Sequence, residues 1–176
     1  MLSGFSRRRS QFLQKKNSLK KENKGKISDE QWAQIRTGPT VYPPGSFSLF
    51  IGTLEGKQVT GWVNKGYKDY DFKSFCPYYL YIKVDLSDVL QHQEEGLDAD
   101  TIEEFFLNGL QKRCVSHMVA RMAVDQSVLI SMYVEDLYAI GQYLDDLSEA
   151  NDRPFNFGFT LEEDARWKEV ANFFDK

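Results

Sequence analysis

The chain has 176 residues, of which 41% are hydrophobic and 14% are aromatic, and its formal net charge is −4. This composition excludes a wholly disordered chain, and the length fits one domain with an extension. Two cysteines without a Cys-x-x-Cys spacing are too few for a secreted disulfide scaffold, so we expect reduced thiols and a cytoplasmic location. No stretch approaches the roughly 20 apolar residues that a membrane-spanning helix needs.

The charge is divided unevenly along the chain. Residues 1–26 carry nine basic residues and one acidic residue, a net charge of +8, whereas residues 27–176 carry 13 basic and 25 acidic residues, a net charge of −12. An acidic body repels nucleic acid and attracts basic protein surfaces. The basic arm fits a solvated tail, and the alternative is an arm that contacts nucleic acid or a membrane surface. We predict a basic, largely disordered extension over residues 1–40 and a single α+β domain over residues 41–176.

The first elements predicted are a short helix and a β-hairpin. Ser28 and Gln31 form a capping-box pattern for a helix near residues 28–36. Apolar and polar residues then alternate in Phe47–Leu54 and again in Lys57–Asn64, which predicts two strands joined by a tight turn at residues 55–56.

A polar and aromatic loop over residues 64–77 precedes the clearest strand in the sequence, Tyr78–Asp85. Its residues Leu80, Ile82 and Val84 share one face. Ile102, Phe105, Phe106 and Leu110 recur at helical spacing, which predicts a helix that begins at Asp98 or Asp100 and ends near Arg113.

The second half of the chain predicts a hairpin of strands 115–124 and 127–134, a helix over residues 135–150 and a strand over residues 155–159. Thr160 and Glu163 form a second capping-box pattern, which predicts a final helix with an apolar face. The residues of that face are Trp167, Val170, Ala171 and Phe174.

From residue 78 to residue 159 the predicted order is β-α-β-β-α-β. This order is that of the ferredoxin-like, split β-α-β fold, with two helices on one face of the sheet. The N-terminal hairpin is expected to extend the sheet or to pack beside it, and the C-terminal helix is a further addition.

No residue pattern indicates catalysis, a cofactor or a metal. Neither His92 nor His117 has a cysteine or carboxylate at metal-ligand spacing, so we expect both to be structural. Cys114 is predicted to be buried, and Cys76 to be exposed without a histidine that acts as its base. Phosphate-binding, dinucleotide-binding and serine-hydrolase motifs are absent from the sequence.

Acidic residues cluster around the two predicted helices of the domain. They are candidates for contact with a partner, although solvated helix faces and favourable charge at a helix N-terminus account for the same pattern. The candidate partner-binding residues are Glu94, Glu95, Asp98, Asp100, Glu103, Glu104, Asp145, Asp146 and Glu149.

Several segments, in order, resemble the domain of unknown function 695 family. They are FSLFIGTLEGK at 47–57, CPYYLYIKV at 76–84, EGLD at 95–98 before Glu103-Glu104, and FNFGF at 155–159 followed by EDARW at 163–167. The D-x-x-W ending is also similar to that of the regulator of ribonuclease E activity B. That similarity implies a ferredoxin-like fold and an acidic protein that binds and inhibits another protein. Phe173-Phe174-Asp175 departs from the usual ending, and neither resemblance supplies catalytic residues.

Three functional hypotheses follow. The first is a non-enzymatic, bacterial cytosolic regulator that uses the acidic residues of its two helices to inhibit a basic nucleic-acid-processing protein. The second is an immunity protein that neutralises a cognate bacterial toxin. The third is an enzyme whose site joins His117 or Cys114 to carboxylates.

Overall fold

The computed structural model describes residues 27–87 and 98–175. The predictions for the arm over residues 1–26, and those for His92, Glu94 and Glu95, lie outside these residues. None of the helices within the described ranges combines the length and apolar character needed to cross a lipid bilayer.

Six strands form one sheet in which every neighbouring pair is antiparallel. The strands are β1 (Phe47–Leu54), β2 (Lys57–Asn64), β3 (Tyr78–Asp85), β4 (Ser116–Val124), β5 (Ser127–Val134) and β6 (Asn156–Glu163). Their order across the sheet is β1-β2-β4-β5-β3-β6. The helices are α1 (Asp29–Ile35), α2 (Ala99–Gln111), α3 (Leu137–Glu149) and α4 (Ala171–Phe174). The predicted α+β class is therefore confirmed.

The N-terminal hairpin extends the sheet, because β2 pairs with β4 and leaves β1 at the border. Its two-residue turn has positive φ at both positions, 51° at Glu55 and 79° at Gly56. Backbone twist of this kind matches the twist of the flanking strands, so the turn holds the hairpin in register.

Helices α2 and α3 cover one face of the sheet. Ile102, Phe106 and Leu110 of α2, together with Ile140 and Leu144 of α3, are fully buried. They pack on the β3 face that was predicted from alternation, which consists of Leu80, Ile82 and Val84. The apolar faces predicted from helical and strand periodicity therefore pack together in one hydrophobic core.

The opposite face carries a second core, which α1 helps to cover. Trp32 is 6% exposed, and its indole Nε1 donates to Glu135 Oε1 over 2.9 Å. Arg36 forms an ion pair with the same carboxylate at 3.1 Å. The packed body therefore includes α1 and begins before residue 41, the predicted boundary, because the Trp32 ring is part of the core.

The prediction for residues 160–163 was wrong. Thr160 and Glu163 do not begin a helix, since β6 continues to Glu163 and all eight of its residues pair with β3. The ladder takes the backbone groups that a helix would need. The only helix after β6 in the described residues is α4, with four residues. Trp167, Val170 and Phe174 are buried as predicted, but Ala171 is exposed.

Cys76 was also predicted wrongly, because its exposed fraction is 0%. The Trp167 indole Nε1 donates to the carbonyl oxygens of Lys73 and Cys76 over 3.2 and 3.0 Å, and the turn that holds Cys76 lies in the second core. Burial raises the pKa of the Cys76 thiol well above its ordinary value. Cys114 is buried as predicted.

Candidate functional site

The acidic residues at the start of α2 have mostly structural partners. Asp98 is the N-cap, and its side chain accepts a hydrogen bond from the Thr101 amide over 2.8 Å. That backbone donor lowers the pKa of the Asp98 carboxyl. Asp98 thus satisfies an amide that the helix itself leaves unpaired.

Asp100 and Glu103 both form ion pairs with Arg121 on β4. The Glu103 Oε2 atom lies 3.2 Å from the guanidinium and also accepts from the Trp62 indole over 3.2 Å. Burial raises the pKa of Glu103, and the contacts with Arg121 and Trp62 act in the opposite direction. These two carboxylates therefore hold α2 against β2 and β4, and the Arg121 charge offsets part of theirs.

A second group of carboxylates is exposed. It consists of Glu104, Asp145, Asp146 and Glu149, which we call the acidic helical surface. Asp146 accepts from the Gln142 amide nitrogen over 2.7 Å. Within residues 27–87 and 98–175, no lysine, arginine or histidine forms an ion pair with any of the four.

Three of these carboxylates lie at the end of α3 where helix geometry disfavours them. Asp145, Asp146 and Glu149 fall in the last five residues of the helix, and its last turn has no basic residue. The C-terminus of a helix carries partial negative charge, so acidic side chains there reduce helix stability. This placement breaks a local rule of stability, which is typical of a site retained for another reason.

The two helices are joined by a close contact. A Cβ atom on Gly109 of α2 would lie 2.3 Å from the Tyr143 hydroxyl oxygen of α3. The Arg113 guanidinium lies over the Tyr143 ring, 3.4 Å from its centroid. Glycine at position 109 therefore admits the Tyr143 side chain, and the carboxylates of both helices lie on the same side of the sheet.

The one histidine in the described residues is His117, and it is fully buried with a tyrosine at each ring nitrogen. Its Nδ1 lies 3.3 Å from the Tyr67 hydroxyl, and its Nε2 lies 2.9 Å from the Tyr70 hydroxyl. Tyr70 donates its only hydroxyl proton to the Val41 carbonyl over 2.6 Å. Nε2 must therefore carry the ring proton and donate to Tyr70, and Nδ1 accepts from Tyr67.

Burial lowers the pKa of His117 from 6.5 to about 3, so the imidazole is neutral near pH 7. Cys114 Sγ contacts the Val115 carbonyl and the Ser116 hydroxyl instead of the histidine. In the part of the chain that the structure describes, the ring nitrogens of His117 contact tyrosines and not carboxylates. No group of three or more His, Cys, Asp or Glu residues there is arranged to hold a metal ion.

Sequence reasoning missed the role of Asp164 and Trp167. Asp164 Oδ2 accepts from the Tyr133 hydroxyl over 2.5 Å and from the Glu169 amide over 3.0 Å. The Trp167 ring stacks on the Tyr133 ring, with centroids 4.0 Å apart. The D-x-x-W pattern was the available signal, but nothing in it pointed to Tyr133, 31 residues before the aspartate.

Comparisons with models of known protein families and with curated proteins gave no match to this chain.

Proposed function

We propose that this chain is a non-enzymatic regulatory domain that binds a basic protein through the acidic helical surface. The partner class is a nucleic-acid-processing protein such as a ribonuclease, whose substrate-binding surface is itself basic. The single observation that carries this proposal is the group of carboxylates at the C-terminal end of α3, which form no ion pair within the described residues and lie where the helix dipole disfavours negative charge.

The mechanism is occlusion of the basic surface. Net charge of −12 over residues 27–176 steers a positively charged partner toward the body, and the exposed carboxylates then pair with its lysines and arginines. Apolar contacts supply much of the affinity in such interfaces. Tyr138, which is 43% exposed, lies on the same α3 stripe as Asp145 and Glu149, at helical spacing.

We propose a ferredoxin-like, split β-α-β core and membership of the domain of unknown function 695 family. The core proposal is supported by the element sequence β3-α2-β4-β5-α3-β6 together with the strand order β4-β5-β3-β6. The family proposal rests on the motifs quoted above, and the regulator of ribonuclease E activity B remains an analogy for the mode of action.

Affinity capture with matched variants tests the function. The wild-type chain is compared with Asp145→Lys/Glu149→Lys and with Asp71→Lys/Glu162→Lys, which makes the same charge change at exposed residues away from α2 and α3. Captured proteins are compared at about 50 mM and about 500 mM salt, because ion pairs at a surface are screened at the higher concentration.

The proposal expects a basic protein that the wild type and the Asp71/Glu162 variant retain at low salt, and that the Asp145/Glu149 variant releases. The purified chain should then inhibit the nucleic-acid-processing activity of that protein. Equal capture by all three chains, or no inhibition by the wild type, would overturn the proposal.

A further inference from the structure

The border strand β1 exposes three large apolar side chains at alternate positions. Phe47 is 61% exposed, Leu49 is 83% exposed and Ile51 is 77% exposed. Leu49 lies opposite Trp62 in the β1-β2 register, so all three face the side of the sheet that carries α2 and α3. Exposed apolar residues that line up in this way mark an interaction surface more often than scattered ones do.

The same residues carry the free backbone edge of the sheet. The Lys65 amide donates to the Ser46 carbonyl over 2.7 Å, and Leu54 faces Lys57 across the two-residue turn. Residues that hydrogen-bond across an antiparallel ladder alternate with residues that do not, so the even-numbered residues of β1 bond to β2. Phe47, Leu49, Ile51 and Thr53 therefore direct their N–H and C=O groups away from the sheet.

No strand within residues 27–87 and 98–175 pairs with that edge. β1 also lacks the devices that usually protect a sheet edge, since it contains neither a charged residue nor a proline. The opposite border strand is different, because β6 ends with Glu162 and Glu163. The contrast indicates that the β1 edge is available for pairing with another strand, whereas the β6 edge is protected from it.

We propose that β1 pairs antiparallel with β1 of a second copy of this chain about a two-fold axis, which joins two six-stranded sheets into one. The axis passes beside Phe50. Leu49 then lies opposite Ile51 of the partner subunit, and Phe47 lies opposite Thr53 of the partner subunit. This register uses all four outward-facing residues of each strand, whereas registers centred on Leu49 or Ile51 use three.

A second copy is the occupant that suits this edge best, because the surface is complementary to itself. β1 has no charge, so two identical strands meet without repulsion between their own side chains. The three side chains expose roughly 450 Å² per chain, and edge pairing covers part of this area together with the backbone edge, so we expect an interface at or below the ~600 Å² per partner of the smaller specific interfaces. The acidic bodies still repel each other, so added salt should tighten the dimer.

Sedimentation equilibrium of the full chain tests the proposal at concentrations from about 1 to about 100 µM. The wild type should be a dimer whose dissociation constant falls as salt is raised. Leu49→Lys and Ile51→Glu should each raise the dissociation constant by about 100-fold or more, since the two-fold axis places each substituted side chain in the interface twice. Tyr138→Lys is the control, because it adds the same positive charge as Leu49→Lys but at an exposed aromatic residue on α3. It should leave the dissociation constant unchanged.

A mixture of the Leu49→Lys and Ile51→Glu chains tests the register. Each hybrid dimer holds one lysine opposite one glutamate and retains one unaltered Leu49–Ile51 pair, so dimers should return on mixing. A monomeric wild type over the whole concentration range would overturn the proposal. So would a dimer that Leu49→Lys and Ile51→Glu leave unchanged, a dimer that Tyr138→Lys weakens as much as they do, or two variants that dissociate but do not recombine. Unchanged circular dichroism of each variant separates these outcomes from a failure to fold.

Discussion

The Tyr133 ring lies flat against the Trp167 indole, with an interplanar angle of 7° and 4.0 Å between the ring centroids. This contact fastens the segment that follows β6 onto β5. Trp167 has a φ of 56°, a left-handed conformation that bulky residues rarely adopt. The hydrogen bond from Tyr133 to Asp164 holds the same turn, so one tyrosine secures both ends of the D-x-x-W segment.

Removal of the indole should therefore destabilise the whole domain. We expect Trp167→Ala to lower the free energy of unfolding by about 3–5 kcal/mol, because the ring is 1% exposed and its loss leaves a cavity in the second core. Urea denaturation followed by circular dichroism measures the change. Arg166→Ala, at an exposed neighbouring residue, is the control. A loss below about 1 kcal/mol for Trp167→Ala would contradict a core role.

His117 should make stability depend on pH below neutrality. Its folded-state pKa of about 3 lies below the ordinary 6.5, so between these values the unfolded chain binds a proton that the folded chain does not. The stabilisation that depends on neutral His117 is complete above pH 6.5. It is lost progressively as pH falls toward 3, at up to about 1.4 kcal/mol of unfolding free energy per pH unit.

Denaturation curves for the wild type and for His117→Gln between pH 7 and pH 4 check this expectation. The glutamine does not titrate, so the wild type should lose more stability than the variant over that interval. Identical pH profiles for the two proteins would contradict it. Nitrogen NMR of the imidazole at pH 7 should also report the neutral form protonated at Nε2.

The carboxylates at the end of α3 should lower the stability of the protein, so substituting them with lysine should raise it. We expect Asp145→Lys/Glu149→Lys to raise the thermal unfolding midpoint by about 1–5 °C, because positive charge is favourable at a helix C-terminus. Differential scanning calorimetry at low salt measures the shift, with Asp71→Lys/Glu162→Lys as the charge-matched control. A lower midpoint than wild type for the α3 variant would show that these carboxylates stabilise the helix after all.

A residue larger than glycine at position 109 should be unfavourable while Tyr143 is present, because the Tyr143 side chain would have to shift. Alanine usually stabilises a helix interior relative to glycine by about 1 kcal/mol. Here we expect Gly109→Ala to destabilise the fold by about 1 kcal/mol or more, because the added carbon would overlap the Tyr143 hydroxyl. The double variant Gly109→Ala/Tyr143→Phe should recover part of the loss in urea denaturation. A stabilising Gly109→Ala would refute the close helix contact.

Both cysteines should be unreactive in the folded protein. Cys76 is fully buried with a raised pKa, and burial also raises the pKa of Cys114, so little thiolate is exposed near pH 8. Titration with a coloured thiol reagent should show slow modification of both thiols that becomes fast in denaturant. Rapid modification of either thiol in the native protein would contradict this expectation, and at Cys76 it would favour the exposed position predicted from the sequence.

Local pattern was sufficient for most elements and for the inventory of acidic residues. The bounds of β1, β2, β3 and β5 agree with the alternation, and α2 and α3 agree with the helical spacing, because each pattern reports the face that an element buries. The same reasoning failed at residues 160–163. A capping box there competes with pairing along β3, a partner about 80 residues earlier in the chain, and local spacing does not weigh the two.

The sequence by itself determined that the chain is an α+β domain with an acidic body and a basic arm, since composition and periodicity are local properties. Only the tertiary structure decided which carboxylates are neutralised: Arg121 forms ion pairs with Asp100 and Glu103 across the fold. Among the described residues, no basic side chain pairs with Glu104 or with the carboxylates at the end of α3. The tertiary structure alone placed β1 at the sheet border with Leu49 and Ile51 exposed. Ion pairing and strand order depend on contacts between distant residues, and no window of sequence contains both partners.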